Sequence, residues 1–272
     1  MQNLNVTAPD GTPLAVQVCG NLQGGEIVFI HGFSQCHLAW ARQMEDADLA
    51  RDFRMTAYDL RGHGGSGKPV GREWYYENRI LADDLAAVIA AAGLARPVLV
   101  AWSYAGRIVS DYVRVHGQER IGGIVFVGAV TKSGKQFIGP GMDLTAGMLS
   151  EDIGVNVAAT RRFVRVCFAR EQPQETIETL LDYNMMVPPK VRACLFDRPR
   201  NDGEALPSLR VPVLVMHGDK DLMVLPVAGE FTASAVPGAK LSIFEGVGHT
   251  PHMEDPVRFN RELAAFVRAS SA

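Results

Sequence analysis

The stretch Pro97-Val-Leu-Val-Ala-Trp102-Ser103-Tyr-Ala-Gly-Arg-Ile108 sets the narrowest limits on how this chain can fold. Residues 97–102 form an apolar, strand-like run, one serine follows, and an amphipathic helical pattern begins directly after it. Small residues flank Ser103: Ala101 before it, Ala105 and Gly106 after it. A strand that turns into a helix through one residue holds that residue in a strained backbone conformation and brings the two backbones close together. The hydroxyl is then lifted over the sheet edge, with the helix N-terminus aimed at whatever lies on it. The pattern reads as a nucleophile elbow. Such a serine needs a base, an acid to orient that base, and an oxyanion site.

The rest of the chain alternates around this elbow. Strands are predicted over residues 4–7 and 14–18, joined by the turn Pro9-Asp10-Gly11, and over 26–30, 53–58, 97–102, 121–127, 211–216 and 240–244. Helices are predicted over 37–50, 77–92, 104–116, 225–235 and 255–269. All-apolar strands alternating with helices imply an α/β fold with a mostly parallel central sheet flanked by helices, its opening hairpin adding an antiparallel edge.

Between residues 131 and 209 the alternation stops. Helical patches at 153–168 and 175–183 carry no strand between them, and Met142, Met148, Phe163, Phe168, Met185, Met186 and Phe196 supply loose apolar side chains. The segment is too long for a loop. It reads as a helical cap, 131–209, inserted into a core of 1–130 and 210–272. Pro188-Pro189 reads as a hinge and 198–203 as the return connection.

Composition removes several function classes. A net charge of −3 with 21% charged residues gives no reason to expect nucleic acid or an anionic membrane as partner. Cys19, Cys36, Cys167 and Cys194 are far apart, with neither metal nor redox spacing, which fits a reducing compartment. The start of the chain lacks a signal-peptide pattern, and no apolar run is long enough to span a bilayer. A cytoplasmic protein is the expectation, with a homo-oligomer left open.

Two later loops can complete the chemistry. His217-Gly-Asp-Lys-Asp221 follows one strand, and Glu245-Gly-Val-Gly-His249 follows the next. Sites gather at the carboxyl ends of strands in open α/β sheets, and the order Ser, Asp, His is the one this kind of sheet uses. Asp221 is the candidate acid and His249 the candidate base. Asp219 sits in a tight turn, where bonding local backbone is the better use of it. His252 lies nearer the following helix, and His31 reads as a loop-pinning histidine. The oxyanion donors expected are the N–H groups of Phe33, in the turn His31-Gly32-Phe33, and of Tyr104.

With these residues in place the chain resembles the α/β-hydrolase superfamily over nearly its whole length. The matching pieces are His31-Gly32-Phe33, Asp59-Leu-Arg-Gly-His-Gly-Gly-Ser66, the Ser103 elbow, Gly218-Asp-Lys-Asp221, and Gly248-His-Thr-Pro251 followed by Glu254. Within it the chain is most similar to serine esterases and cofactor-free haloperoxidases with a helical cap. The resemblance implies Ser103, Asp221 and His249 as a triad, Phe33 and Tyr104 as the oxyanion hole, no cofactor and no metal. It also implies that Asp59, Arg61 and His63 form a structural network. One departure stands out: the family's Gly-x-Ser-x-Gly is here Ala101-Trp-Ser-Tyr-Ala105. Dehalogenase-like and epoxide-hydrolase-like members of the superfamily carry aspartate in place of the serine, which sets those reactions aside.

The expected substrate is a small-molecule carboxylic ester. Phe33, Leu38, Trp40, Trp102, Tyr104 and Met223, with the cap methionines, suggest an apolar pocket for small to medium groups; Trp40, Trp102 and Met223 are its candidate lining. For Trp102, packing and substrate contact are equally open. Arg161, Arg162 and Arg165 read as a solvated helix face. Perhydrolysis by the same site stays open. So do a carbon–carbon hydrolase or lyase on the same triad, and a ligand-binding receptor that keeps it.

Overall fold

The computed structural model describes residues 1–199 and 203–270. Eight strands, β1 (Gln2–Thr7), β2 (Pro13–Gly20), β3 (Gly25–Ile30), β4 (Phe53–Tyr58), β5 (Val98–Trp102), β6 (Gly123–Val127), β7 (Val213–Gly218) and β8 (Lys240–Phe244), form one sheet in the order β1-β2-β4-β3-β5-β6-β7-β8. β1 and β2 pair antiparallel, as do β2 and β4, and every other neighbour is parallel.

The apolar runs are continuous because both faces of the sheet are covered. Along β3, Val28 and Ile30 join one core and Ile27 and Phe29 the other; along β5, Leu99 and Ala101 alternate in the same way with Val98, Val100 and Trp102. In chain order the helices are α1 (Ala41–Met44), α2 (Ala47–Asp52), α3 (Asn78–Ala91), α4 (Ala105–His116), α5 (Thr145–Met148), α6 (Ile153–Val166), α7 (Gln174–Met185), α8 (Pro189–Asp197), α9 (Pro226–Ala235), α10 (Pro251–Glu254) and α11 (Pro256–Ser270). On one face α11 buries Phe259, Leu263 and Val267, spaced four residues apart, beside Trp40 and Met44. On the other lie Leu81, Leu85 and Val88 of α3 and Ile108, Val109 and Tyr112 of α4.

Two departures from the periodic reading have local causes. The helix predicted over 37–50 is three pieces: a 3-10 turn at His37–Trp40, then α1 and α2. The Asp46 side chain accepts from Leu49 N–H (2.8 Å) and opens α2 as a new helix. Pro188-Pro189 is the start of a helix rather than a hinge, since a proline at the first helical position has no amide to leave unpaired. The return connection predicted at 198–203 lies partly outside the described residues.

Among the described residues, all eight strands fall in 1–130 or 210–272, and 131–209 carries helices. These helices are not a separate body. Met148, Phe163, Leu180, Val191 and Leu195 belong to the same apolar core as β3 and β5. Met148 is fully buried, while Met186 is exposed. No helix among the described residues is long and apolar enough to cross a membrane.

The sheet also positions a site. β4 lies on one side of β3 and β5 on the other, so the strand order reverses between β3 and β5, where a crevice opens at the carboxyl ends. His31, Gly32 and Phe33 leave β3 there, and Ser103 leaves β5.

Candidate active site

Ser103 has φ 55°, and Ser34 (φ 63°) is the other non-glycine residue in the left-handed region among those described. Such a conformation costs a side-chain-bearing residue about 1–3 kcal/mol and persists only where its surroundings impose it. They do so from both sides: Ser103 N–H donates to Val127 O (2.9 Å), and its carbonyl accepts from Gly106 N–H (3.0 Å) and Val130 N–H (2.9 Å). The two alanines of the elbow are fully buried. The close approach that glycine usually serves falls at Gly106, where a Cβ would stand 2.9 Å from Val130 O and 3.0 Å from the Ala129 methyl. Gly32 serves the opposite side, its absent Cβ leaving 3.0 Å to Ser103 Cβ.

The two later loops meet beside this elbow. His249 Nδ1 lies 2.7 Å from Asp221 Oδ2, with both side chains buried. Asp221 Oδ1 accepts from Met223 N–H (2.8 Å) and Val224 N–H (3.0 Å). Burial alone pushes the Asp221 carboxyl up, but the charge of His249 and hydrogen bonds from His217 and His249 hold it well below the usual carboxylate range. Gly128, just past the carbonyl that holds Ser103 N–H, leaves room for both: a Cβ there would meet His249 Nδ1 at 3.1 Å and Asp221 Oδ2 at 3.2 Å.

The backbone of His249 is held at both ends. Its N–H donates to Cys167 O (2.8 Å), and its carbonyl accepts from Trp102 Nε1 (2.9 Å). Glu254 braces the same loop by accepting from Gly248 N–H (2.8 Å) and, with its other oxygen, from Ala169 N–H (3.0 Å).

Sequence reasoning missed His217. Its Nε2 lies 2.8 Å from Val224 O and 3.1 Å from Asp221 Oδ2, two acceptors, so Nε2 carries the proton and steadies the same carboxylate oxygen that faces His249. The signal for it was present, a histidine at the end of β7 four residues before the acid. Gly229 of α9 makes its space, since a Cβ there would meet His217 Nδ1 at 2.6 Å.

The other candidates have structural employment. Asp219 accepts from Gly246 N–H (2.6 Å) and pairs with Lys220 (2.9 Å), so it ties two loops together rather than turning its own. His252 is fully buried between the rings of Trp40 (4.4 Å) and Trp102 (4.7 Å). His31 Nε2 accepts from Leu60 N–H (3.0 Å) while Nδ1 faces Gly32 O (2.8 Å).

Phe33 N–H and Tyr104 N–H have no hydrogen-bond acceptor among the described residues. Phe33 is placed by its neighbour: Ser34 N–H donates to His63 Nε2 (3.2 Å), and His63 Nδ1 faces Arg61 O (2.9 Å). Arg61 is itself locked by Asp84 through both carboxylate oxygens (2.7 and 2.6 Å) and by Asp10 (2.6 Å). Tyr104 is placed by its hydroxyl, which donates to Leu195 O (3.0 Å) and accepts from Arg198 Nη1 (2.9 Å). The Asp59–Ser66 segment is therefore the scaffold of the Phe33 loop. Cys36, His37 and Asp59 hold three ligand-type atoms within 4.8 Å of one another. Asp59 is already committed there, Oδ1 to His37 N–H (2.7 Å) and Nδ1 (2.9 Å), Oδ2 to Gly65 N–H (2.7 Å).

Of the three candidate lining residues, the structure removes Trp40 and gives Trp102 a second role. Trp40 has no exposed surface and packs among Phe29, Trp102 and Phe259. Trp102 alternates onto the same face of the sheet, away from Ala101, and its indole anchors His249. Met223 does line a cavity of about 130 Å³, with Tyr104, Val130, Phe137, Met142 and Phe196. An aromatic wall continues from it: Phe33 meets Phe196 at a tilt (4.5 Å) and Phe163 edge-on (6.3 Å), both from the 131–209 segment.

Comparison with known proteins agrees with this fold. The sequence profile of the alpha/beta hydrolase fold matches residues 26–256. Among curated relatives, a non-heme chloroperoxidase, CPO-A1, of Kitasatospora aureofaciens is 29% identical over 96% of this chain and 98% of its own. Among solved structures, the esterase RhEst1 of Rhodococcus sp. ECU1013 shares 35% identity at TM-score 0.90, covering 98% of this chain and 99% of its own. A protein of Burkholderia cenocepacia assigned provisionally as an aryl esterase superposes at TM-score 0.94 with 34% identity, 99% of each chain being covered. The chain belongs to the α/β-hydrolase fold family and is an enzyme of the esterase-like kind.

Proposed function

We propose that this enzyme cleaves carboxylic esters of small to medium, largely apolar substrates through an acyl-enzyme, with Ser103 as nucleophile, His249 as base and Asp221 as the acid that orients it. His249 takes the Ser103 proton as the oxygen attacks the carbonyl carbon, then returns it to the departing alcohol. Asp221 stays ionised and stabilises the imidazolium between the two transfers. The N–H groups of Phe33 and Tyr104 hold the oxyanion, each worth about 3 kcal/mol of barrier. Water, deprotonated by His249, then attacks the acyl-enzyme and releases the acid. Hydrogen peroxide in place of water gives a peracid by the same step, and the likeness to a chloroperoxidase supports that side reaction. Helices α5–α8 serve as a cap that supplies Phe163 and Phe196.

The observation that carries the proposal is the buried His249–Asp221 pair, 2.7 Å apart, beside a serine forced to φ 55°. The test is a chain-length series of nitrophenyl esters with wild type, Ser103→Ala and His249→Ala. Each variant should lose roughly a thousandfold or more in kcat, with activity greatest on short acyl chains. Wild-type rates in both variants would exclude the assignment.

A further inference from the structure

The cavity beside Tyr104 has an uneven charge. Its described lining includes Arg107 and Lys132 and no carboxylate, the remainder being Ser133 and apolar or aromatic side chains. It adjoins the chemistry directly: Tyr104 follows Ser103, Val130 N–H holds Ser103 O, and Met223 N–H holds Asp221. The two cations are not equivalent. Arg107 Nη2 donates to Arg198 O (3.3 Å) and Pro199 O (2.8 Å), so it is engaged in holding the connection after α8. The Lys132 ammonium rests 4.6 Å over the Phe231 ring, on a half-buried side chain, and the preceding Thr131 bonds Thr232, of the same helix as Phe231, through their hydroxyls (2.6 Å). Among the described residues the Lys132 ammonium has no oxygen acceptor, and the ring face supplies none.

Two positive groups lining a low-dielectric cavity focus a field that favours an anion. The volume, about 130 Å³, equals that of roughly four liquid waters, enough for a short chain ending in a carboxylate. We infer that this cavity selects substrates carrying a carboxylate at the end seated in it, with Lys132 as the specificity-determining contact. The inference rests on the ester-hydrolase reading above and adds a charged terminus to its otherwise apolar substrate.

The test uses two matched pairs. Nitrophenyl hemisuccinate against nitrophenyl butanoate places the charge on the acyl half; 4-carboxyphenyl acetate against 4-carbamoylphenyl acetate places it on the alcohol half. In wild type, one pair should show a kcat/KM ratio, charged to neutral, above one. Lys132→Met should lower that ratio about tenfold, and Lys132→Arg should restore most of it. A ratio unmoved by Lys132→Met in both pairs overturns the inference. Loss of all turnover in Ser103→Ala is the separate check on the nucleophile, so the two readings fail independently.

Discussion

At the residue scale, Trp102 shows how one position can serve the chemistry without touching it. Its neighbour Ser103 sits at the end of the strand, and its indole reaches under the site to hold the carbonyl of His249. The nucleophile strand thereby sets the height of the base. Trp102→Phe keeps an aromatic ring against His252 and removes the N–H donor together with part of the indole's volume. A net hydrogen bond of about 1 kcal/mol corresponds to roughly a fivefold effect on rate. If Trp102 acts through His249, kcat falls by about that factor while KM for a nitrophenyl ester stays within twofold, since no substrate contact is lost. A rise in KM at constant kcat would instead make Trp102 a lining residue. No pattern in the sequence separates these roles, because an indole beside the nucleophile fits both, and only the partner of its N–H decides.

At the element scale, the features readable from sequence are those specified by neighbours in the chain. β4 and β8 match their periodic runs, and Ser103, Asp221 and His249 each sit in a short motif at a strand end. The 131–209 segment is less readable because its stability depends on buried charges paired across distance. Arg192, fully buried, donates to Met148 O (2.9 Å), Asn156 Oδ1 (2.9 Å) and Asn184 O, knitting α5, α6 and α7 to α8. Arg198 reaches Asp111 of α4 at 2.6 Å with neither side chain exposed, and its other arm meets Tyr104. Breaking a buried pair from one side strands the opposite charge, at about 3–5 kcal/mol. Arg114 also contacts Asp111 (2.6 Å), which places Arg198→Met at the lower end, about 3 kcal/mol. Urea midpoints should show that loss, and the double variant Arg198→Met/Asp111→Leu should recover much of it. If the single variant unfolds with wild type, the pair is not what fixes α8 against the sheet.

At the scale of the whole molecule, the network behind the Phe33 loop makes stability depend on pH. Burial, the largest cause in each case, lowers His31 to about 4 and His63 to about 3, against an ordinary value near 6.5. Geometry gives the reason: each Nε2 accepts from a backbone N–H, Leu60 for His31 and Ser34 for His63, so protonation breaks that bond. The native state keeps both rings neutral, while the unfolded chain protonates them as pH falls through about 6.5. Below that point the unfolded state binds more protons, and stability drops by about 1.4 kcal/mol per pH unit for each histidine. The loss for His31 levels off near pH 4. Asp59 then takes over: burial raises it, but the His37 hydrogen bond and the charges of His31 and His37 outweigh burial and bring it to about 2, so its contribution is lost between about pH 4 and 2. A domain with a total stability of about 5–15 kcal/mol cannot absorb both histidine terms for long. Buried His252, also held neutral well below its ordinary range, adds a third such term, so the expected outcome is a stability plateau above about pH 7, a decline approaching about 4 kcal/mol per unit below pH 6, and acid unfolding between about pH 4 and 5. Urea titrations at pH 7.5, 6.0 and 5.0 measure the slope directly. His63→Gln, whose amide oxygen can accept from Ser34 N–H without titrating, should remove about a third of it, and an unchanged slope in that variant would rule out the His31–His63 pair as its source.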